Sequence, residues 1–487
     1  MSRKPIDLED ITNYAVYVLE GHDIEVCPWQ DQSSSGFYRL SLCFGASAAL
    51  NRVLRPDSSL TDSFNFFVKQ DHLGLSPADT ARLYGTGVRK MVDTLSPKGL
   101  VVAVDVNANP EAAAMGIVYA LQEANYFQTD MEIYRGLTTV RIMVDGEAFV
   151  TKAERGVEIA RLGNLQRCLA TVTPTDEGLS TDGFAELVER LWKGREFPEM
   201  VEYVGTEEMG LINAVCRGSG RSGQVLRLTV HPTTGETTTR DVIIGKGLVF
   251  DDGGQVSKGE HMAGMGGDKM GALGCLGVAL YFGQHPDELT RTLEVILVLA
   301  ENRTDGNAYL MDEILTSFGG KRVRVTHPDA EGRLVLADAI EWAHANFSDI
   351  ASLQTMATLT GAAVTALGQP FSAMFVNDNY WERMTELKEA GERAADRVWP
   401  MPMDPYYANL LLDPVADLRN TGKKKEGGPS LGAMFLAAFH PKDWPGEFIH
   451  LDIAGSTALD FAGGTEIAEG LPRAAGIAFT IERLRKK

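Results

Sequence analysis

Two short stretches of the chain concentrate charged residues whose spacing would bring them together. In the first, THPDAEGRLVLADA (Thr326–Ala339), Asp329, Glu331 and Arg333 stand two residues apart. That spacing puts three side chains on one face only where the backbone is extended, because on a helix i and i+2 point apart. His327-Pro328 just ahead favours an extended or turning chain. Leu334 to Asn346 then carries apolar residues at helical spacing. The segment reads as a loop that delivers two carboxylates and a guanidinium to a helix start. Taken alone, a D-x-E-x-R triplet is most often a solvated charge cluster. The second stretch, GKGLVFDDGGQVSKGEHMAGMGGDKMGA (Gly245–Ala272), changes the balance. Lys246 and Asp251 flank a hydrophobic strand, and Asp251 falls where that strand opens into Asp252-Gly253-Gly254. Lys258 lies in the Gly-rich loop beyond, and Asp268 precedes a helix. Parallel α/β sheets bind ligands at the carboxyl ends of their strands. Asp251, Asp268, Asp329 and Glu331 together form a hard oxygen set suited to Mg²⁺ or Mn²⁺ or, with a nitrogen ligand, Zn²⁺. None of the nine histidines forms an H-E-x-x-H pair, so the mononuclear zinc peptidase motif is absent.

The elements that must position these residues alternate along the chain. GLVVAVDVNA (Gly99–Ala108) reads as a buried parallel strand, PEAAAMGIVYALQEANY as a helix with Pro110 near its start, and GLTTVRIMVDG as the next strand. Strand, helix, strand implies an α/β domain. ATVTPTDEGLSTDG after residue 169 has the texture of a linker. The boundary falls near residues 165–185, giving a smaller N-terminal α/β domain (1–175) and a larger C-terminal one (176–487). The expected fold is α/β throughout, with a mixed, mostly parallel sheet flanked by helices in the second domain. There the expected strands are DVIIGKGLVF, TLEVILVLAEN, DIASLQTMATLTG, FSAMFVND and EFIHLDIAG. The expected helices are MGALGCLGVALYFG, LVLADAIEWAHAN, WERMTELKEAGERAADR, SLGAMFLAAF and AAGIAFTIERLRKK. LINAVC and QVLRLTVHP flank RGSGRSG and read as a hairpin. Gly218, Gly220 and Gly223 fit G-x-G-x-x-G, but a dinucleotide site needs a helix next and a β-rich run follows.

Composition bounds the function. The 487 residues are 44% hydrophobic and 23% charged, an ordinary globular balance with room for two or three domains. A net charge of −20 disfavours nucleic acid and anionic membranes as partners. No apolar run approaches a membrane span. The N-terminus MSRKPIDLED lacks the apolar core of a signal peptide. The five cysteines, Cys27, Cys43, Cys168, Cys216 and Cys275, are odd in number, scattered and without a C-x-x-C pair, which fits a reduced, cytoplasmic protein.

The two charged stretches resemble the signature loops of the leucyl aminopeptidase family of cytosolic two-metal exopeptidases. AENRTDGNAYLMDEILTSFGGKRVRV, ATLTGAAVTALG, WPMPM, ADLRNTG, EGGPSLGAMFL and HLDIAG are similar too, in order, over roughly residues 200–480. The resemblance implies a metal-dependent aminopeptidase that releases N-terminal residues, Leu or other apolar ones preferred, from peptide substrates. It implies two divalent ions per chain, Mn²⁺ or Zn²⁺ with Mg²⁺ as a further candidate, held by Lys246, Asp251, Asp268, Asp329 and Glu331. Asp251 and Glu331 would bridge them. It makes Lys258 and Arg333 the catalytic cations, places a bicarbonate on Arg333, and draws the pocket for the first side chain from Met265, Thr358, Gly361 and Ala454. It also implies a macro-like N-terminal domain and a homohexamer. The rival expectations are a catalytically weak structural relative and a DNA-binding family member. Three departures stand out. His327-Pro328 replaces the usual Asn-Thr, the Lys258–Asp268 spacer is one residue short, and Asp252 replaces Ser or Thr, which adds a carboxylate beside the expected ions.

Overall fold

A computed structural model describes residues 178–457 apart from 235–237, 378–380 and 425, then 475–486. Before them it describes 8–20, 23–28, 38–41, 76–81, 84–85, 101–106, 109–123, 139–144, 147–170, 172 and 174. In the N-terminal part, Asp23–Pro28 (β1), Tyr38–Ser41 (β2), Val101–Val106 (β3) and Thr139–Val144 (β4) form an all-parallel sheet in the order β1-β4-β3-β2. Helix Pro110–Glu123 joins β3 to β4, as a crossover connection between parallel strands requires, and helix Glu147–Ala170 follows β4.

The strands beyond residue 200 are Glu202–Val204 (β5), Gln224–Val230 (β6), Arg240–Asp251 (β7), Thr292–Asn302 (β8), Ile314–Thr316 (β9), Arg322–Arg324 (β10), Ile350–Ala357 (β11), Ser372–Val376 (β12), Val398–Pro400 (β13), Leu418–Arg419 (β14) and Glu447–Asp452 (β15). Eight of them make one sheet, β13-β12-β15-β11-β7-β8-β6-β5. Its centre, β15-β11-β7-β8, is parallel, and antiparallel pairings join the flanks. Burial on both faces explains why β7 and β8 are nearly unbroken apolar runs. One face packs on helices Met270–Gln284 and Ile477–Leu484 and on the N-terminal helix Glu147–Ala170. The other packs on Gly332–Asn346 and Gly428–Ala437. The expected pair of α/β units, the larger with a mixed sheet between helices, is what the described residues form. Among them no helix is long and apolar enough to cross a membrane.

One expected element is different. LINAVC is not the first arm of a hairpin but lies in the helix Gly210–Cys216. The Asp338 carboxylate accepts hydrogen bonds from Leu211 N (2.9 Å) and Ile212 N (3.0 Å) at that helix's start. A partner more than 120 residues away thus decides a run too short to declare itself by periodicity. The strand β6 still follows Gly223, so the rejection of a dinucleotide motif stands. The three short strands β9, β10 and β14 pair in a separate small sheet that the apolar patterning did not announce.

The helix that begins beside Glu331 is anchored at its far end by a histidine pair. His344 Nε2 lies 2.8 Å from His440 Nδ1, and the His440 ring stacks on Trp444 at 4.7 Å. Burial pushes His344 down to about 4, and burial with His344 and Lys321 nearby pushes His440 down as well. An unfolded histidine takes its proton near 6.5, so between about 6.5 and 4 the unfolded chain binds more protons. Stability should therefore fall as pH drops through that window. Urea unfolding across it should show a decline that flattens in His344→Gln; identical slopes would remove the pair from the account.

Candidate metal centre and active site

The site forms where four adjacent parallel strands end. Asp251 closes β7, Asn302 closes β8, Thr358 follows β11, and Asp452 closes β15. Lys246 sits five residues earlier on β7, buried, with its side chain against Gly332. A Cβ at 332 would lie 2.6 Å from Lys246 Cε, so glycine there is a packing requirement. The turn after β7 needs glycine for a second reason. Gly253 has φ +89°, and a Cβ would stand 3.0 Å from Asp329 Oδ1.

The charged residues interlock across the two loops. Lys246 Nζ lies 2.8 Å from Asp268 Oδ1 and 3.2 Å from Glu331 Oε1, and donates to Thr358 O at 2.8 Å. Lys258 Nζ lies 2.8 Å from Asp251 Oδ2 and also pairs with Asp329. Asp251 Oδ1 accepts from Gly253 N at 2.9 Å and from Asn302 Nδ2 at 2.8 Å. Burial opposes the charge on both lysines, but the carboxylates around each outweigh it and hold both above an ordinary lysine. Burial, reinforced by Glu331 and Asp268, pushes the Asp251 carboxyl well above the usual range. So many carboxylates crowd the site that two ammoniums do not neutralise them.

Ten of the eleven sequence-predicted residues line one cavity of about 580 Å³: Lys246, Asp251, Lys258, Met265, Asp268, Asp329, Glu331, Thr358, Gly361 and Ala454. Arg333 does not. It is buried in the first turn of its helix, where Nη1 donates to Asn420 O at 2.9 Å and Nε has no hydrogen-bond partner. Burial pulls its guanidinium down to about 10, still charged at neutral pH.

Asp252 corrects an expectation. It adds no free carboxylate to the acidic cluster, because Oδ1 accepts from Gly254 N (2.9 Å) and Thr304 Oγ1 (3.1 Å), and Oδ2 from Thr304 N (2.8 Å). It ties the first loop to the segment after β8 instead. The contacts of His327 with the rest of the site are made by its backbone, through Asn420. Sequence reasoning passed over two residues. Asn302 donates to Asp251 and, at 3.3 Å, to Pro328 O, so it links the two loops. Asp452 accepts from Leu359 N (3.0 Å), Thr360 Oγ1 (2.6 Å) and Ala454 N (3.2 Å), which sets the pocket wall. Both end strands directly under the site, which is the signal that could have found them.

A divalent ion suits this donor set. Oxygens of Asp251, Asp329 and Glu331 lie within 4.8 Å of one another. Asp268 Oδ2 and Glu331 Oε2 are buried with no hydrogen-bond partner, a costly state that a cation relieves.

Comparison with known proteins agrees. The cytosol aminopeptidase family, catalytic domain, matches residues 177–477. A probable cytosol aminopeptidase of Sulfurihydrogenibium sp. is 34% identical over 57% of this chain, and the match spans 54% of that relative, about half its length. One of Rippkaea orientalis is 33% identical over 81% of this chain and 77% of its own. The structure of leucyl aminopeptidase from Leishmania major, in complex with actinonin, superposes with a TM-score of 0.80 over 99% of this chain and 98% of that one, at 21% identity, and so shares the fold. With its family match spanning more than half its length and these relatives, the chain belongs to the cytosol aminopeptidase family.

Proposed function

We propose that the protein is a metal-dependent aminopeptidase that removes apolar residues, Leu among them, from the amino terminus of peptides. The observation that carries this reading is the meeting of five potential ligands, Lys246, Asp251, Asp268, Asp329 and Glu331, in the wall of one cavity with an apolar end. Two ions held there, Mn²⁺ or Zn²⁺ with Mg²⁺ as a further candidate, would polarise the scissile carbonyl and supply an activated water at neutral pH. The chain's own groups do the rest. The acidic wall of Asp268, Asp329 and Glu331 favours a free, cationic amino terminus. Met265, Thr358, Gly361 and Ala454 take the first side chain, an uncharged surface that disfavours Asp or Glu there. The Lys258 ammonium donates to the oxyanion that develops at the carbonyl. Arg333, charged and with Nε unengaged, is the proposed seat of a bicarbonate. A homohexamer in the cytoplasm completes the proposal; light scattering that gave a monomer at micromolar concentration would remove the hexamer. A silent structural relative or a DNA-binding role is favoured by no observation among the described residues.

The test combines metal content per chain with hydrolysis of leucine amide. Two ions and cleavage are expected, with N-acetyl-leucine amide left intact because it offers no free amine. Equal cleavage of the acetylated compound, or a chain that holds no ions, would sink the reading.

A further inference from the structure

The loop Thr326–Ala330, which carries Asp329, makes few contacts of its own. Its one internal backbone hydrogen bond runs from Ala330 N to His327 O at 3.0 Å. Asn302 Nδ2 and Tyr309 Oη donate to Pro328 O, and Thr326 Oγ1 pairs with Thr421 Oγ1, but one buried amide makes more hydrogen bonds to the loop than any other side chain. Asn420, fully buried just after β14, accepts at Oδ1 from Thr326 N (2.7 Å), Thr326 Oγ1 (3.1 Å) and His327 N (3.2 Å). Its Nδ2 donates to His327 O (2.7 Å) and Ala330 O (3.4 Å). Donors face the oxygen and acceptors face the nitrogen, so the amide fits in one orientation only. The backbone of the same residue extends the reach. Asn420 N donates to Arg324 O at 3.0 Å ahead of the loop, and Asn420 O receives Arg333 Nη1 at 2.9 Å beyond it. One residue therefore touches the chain before the D-x-E-x-R triplet, within it and at its last residue.

The geometry points to Asn420 as a positioning residue that sets Asp329, Glu331 and Arg333 together, its side chain holding the loop that carries half of the acidic set and its backbone carbonyl holding the buried guanidinium. This rests on reading those three as site residues. Neither leucine nor aspartate replaces it: leucine offers nothing, and aspartate turns an acceptor toward the carbonyls of His327 and Ala330, where a donor is required. Groups that orient metal ligands are typically worth about 10- to 100-fold in metal affinity or activity when lost.

The experiment compares wild type with Asn420→Asp in two readouts. The first is Mn²⁺ binding by titration calorimetry. The second is amide hydrogen exchange of the metal-free protein over residues 324–334. Binding at one of two sites is expected to weaken at least about 10-fold. Exchange is expected to accelerate in 326–330, with helix Gly332–Asn346 protected as before. Unchanged Mn²⁺ affinity with unchanged exchange overturns the inference. So does faster exchange spread over the whole sheet, which marks a merely structural residue. If Asn420→Asp does not accumulate folded, Thr326→Val removes one donor to Oδ1, and a smaller weakening of about 2- to 5-fold is expected on the same grounds; no weakening overturns the inference. A wild-type protein that binds no Mn²⁺ would defeat the metal reading, while the exchange data would still decide whether Asn420 sets the loop.

Discussion

Asp251→Ala is expected to strip the protein of both ions on dialysis and to lower kcat by more than about 10³-fold. Loss of the ions removes an electrophile and an activated water together, several kcal/mol of transition-state stabilisation, and each 1.4 kcal/mol is about tenfold. The expectation rests on where this carboxylate lies. It lies at the carboxyl end of β7 between the two loops, with Oδ1 fixed by Gly253 N and Asn302 Nδ2 and Oδ2 turned toward Lys258. Its oxygens also belong to the group that comes within 4.8 Å of Asp329 and Glu331. The control is one residue away. Asp252→Ala removes a carboxylate from the same turn, but one bound to Thr304 and Gly254, so both ions should stay. Elemental analysis of the dialysed variants decides: two ions retained in Asp251→Ala would mean that Asp251 does not join the sites.

Lys258→Ala should fail in the opposite way. The ammonium is the most exposed of the site's cations, with 17% of its side chain accessible, and it faces the cavity rather than the core. Loss of one donor to a developing oxyanion typically costs about 10²- to 10³-fold in kcat, and that is the expected effect with KM little changed. Metal should not be lost. In the protein as described, Lys258 neutralises Asp251 and Asp329, so its removal leaves those carboxylates more in need of a cation. Mn²⁺ affinity in Lys258→Ala is therefore expected to hold or rise. A variant that has lost metal in proportion to activity would reassign Lys258 from oxyanion donor to site architecture.

Much of the site was legible because its chemistry is local in sequence. Lys246 and Asp251 share a strand, Asp329 and Glu331 share a loop, and each loop opens a helix whose apolar spacing is plain. The parallel centre of the sheet follows from unbroken apolar runs such as TLEVILVLAEN. What stayed hidden depends on partners far along the chain. LINAVC is helical because Asp338 binds its first amides. Asp252 turns away from the acidic cluster because Thr304 offers it two donors. Asn302 and Asn420 are ordinary asparagines until β8 and β14 deliver them beside the loops. Two- and three-residue strands such as β9, β10 and β14 hold too few side chains to show a period.

The N-terminal helix Glu147–Ala170 has a consequence for how this protein is inherited. Its apolar residues, Ala160, Leu162 and Leu165 among them, share one core with Leu273, Leu276 and Ala279 of the helix that begins just after Asp268. Gln166 Nε2 donates across that contact to Met270 O and Ala475 O, and Lys269 Nζ reaches Ala170 O and Val172 O. The linker in the sequence is therefore not a seam in the packing. A gene fragment beginning at residue 177 would encode every carboxylate of the centre yet leave the wall behind Asp268 bare to water, an apolar surface prone to association. Recombination that exchanged the N-terminal half for another would have to bring an equivalent helix with it, and a protease cut before residue 170 would be felt at Asp268, about a hundred residues on.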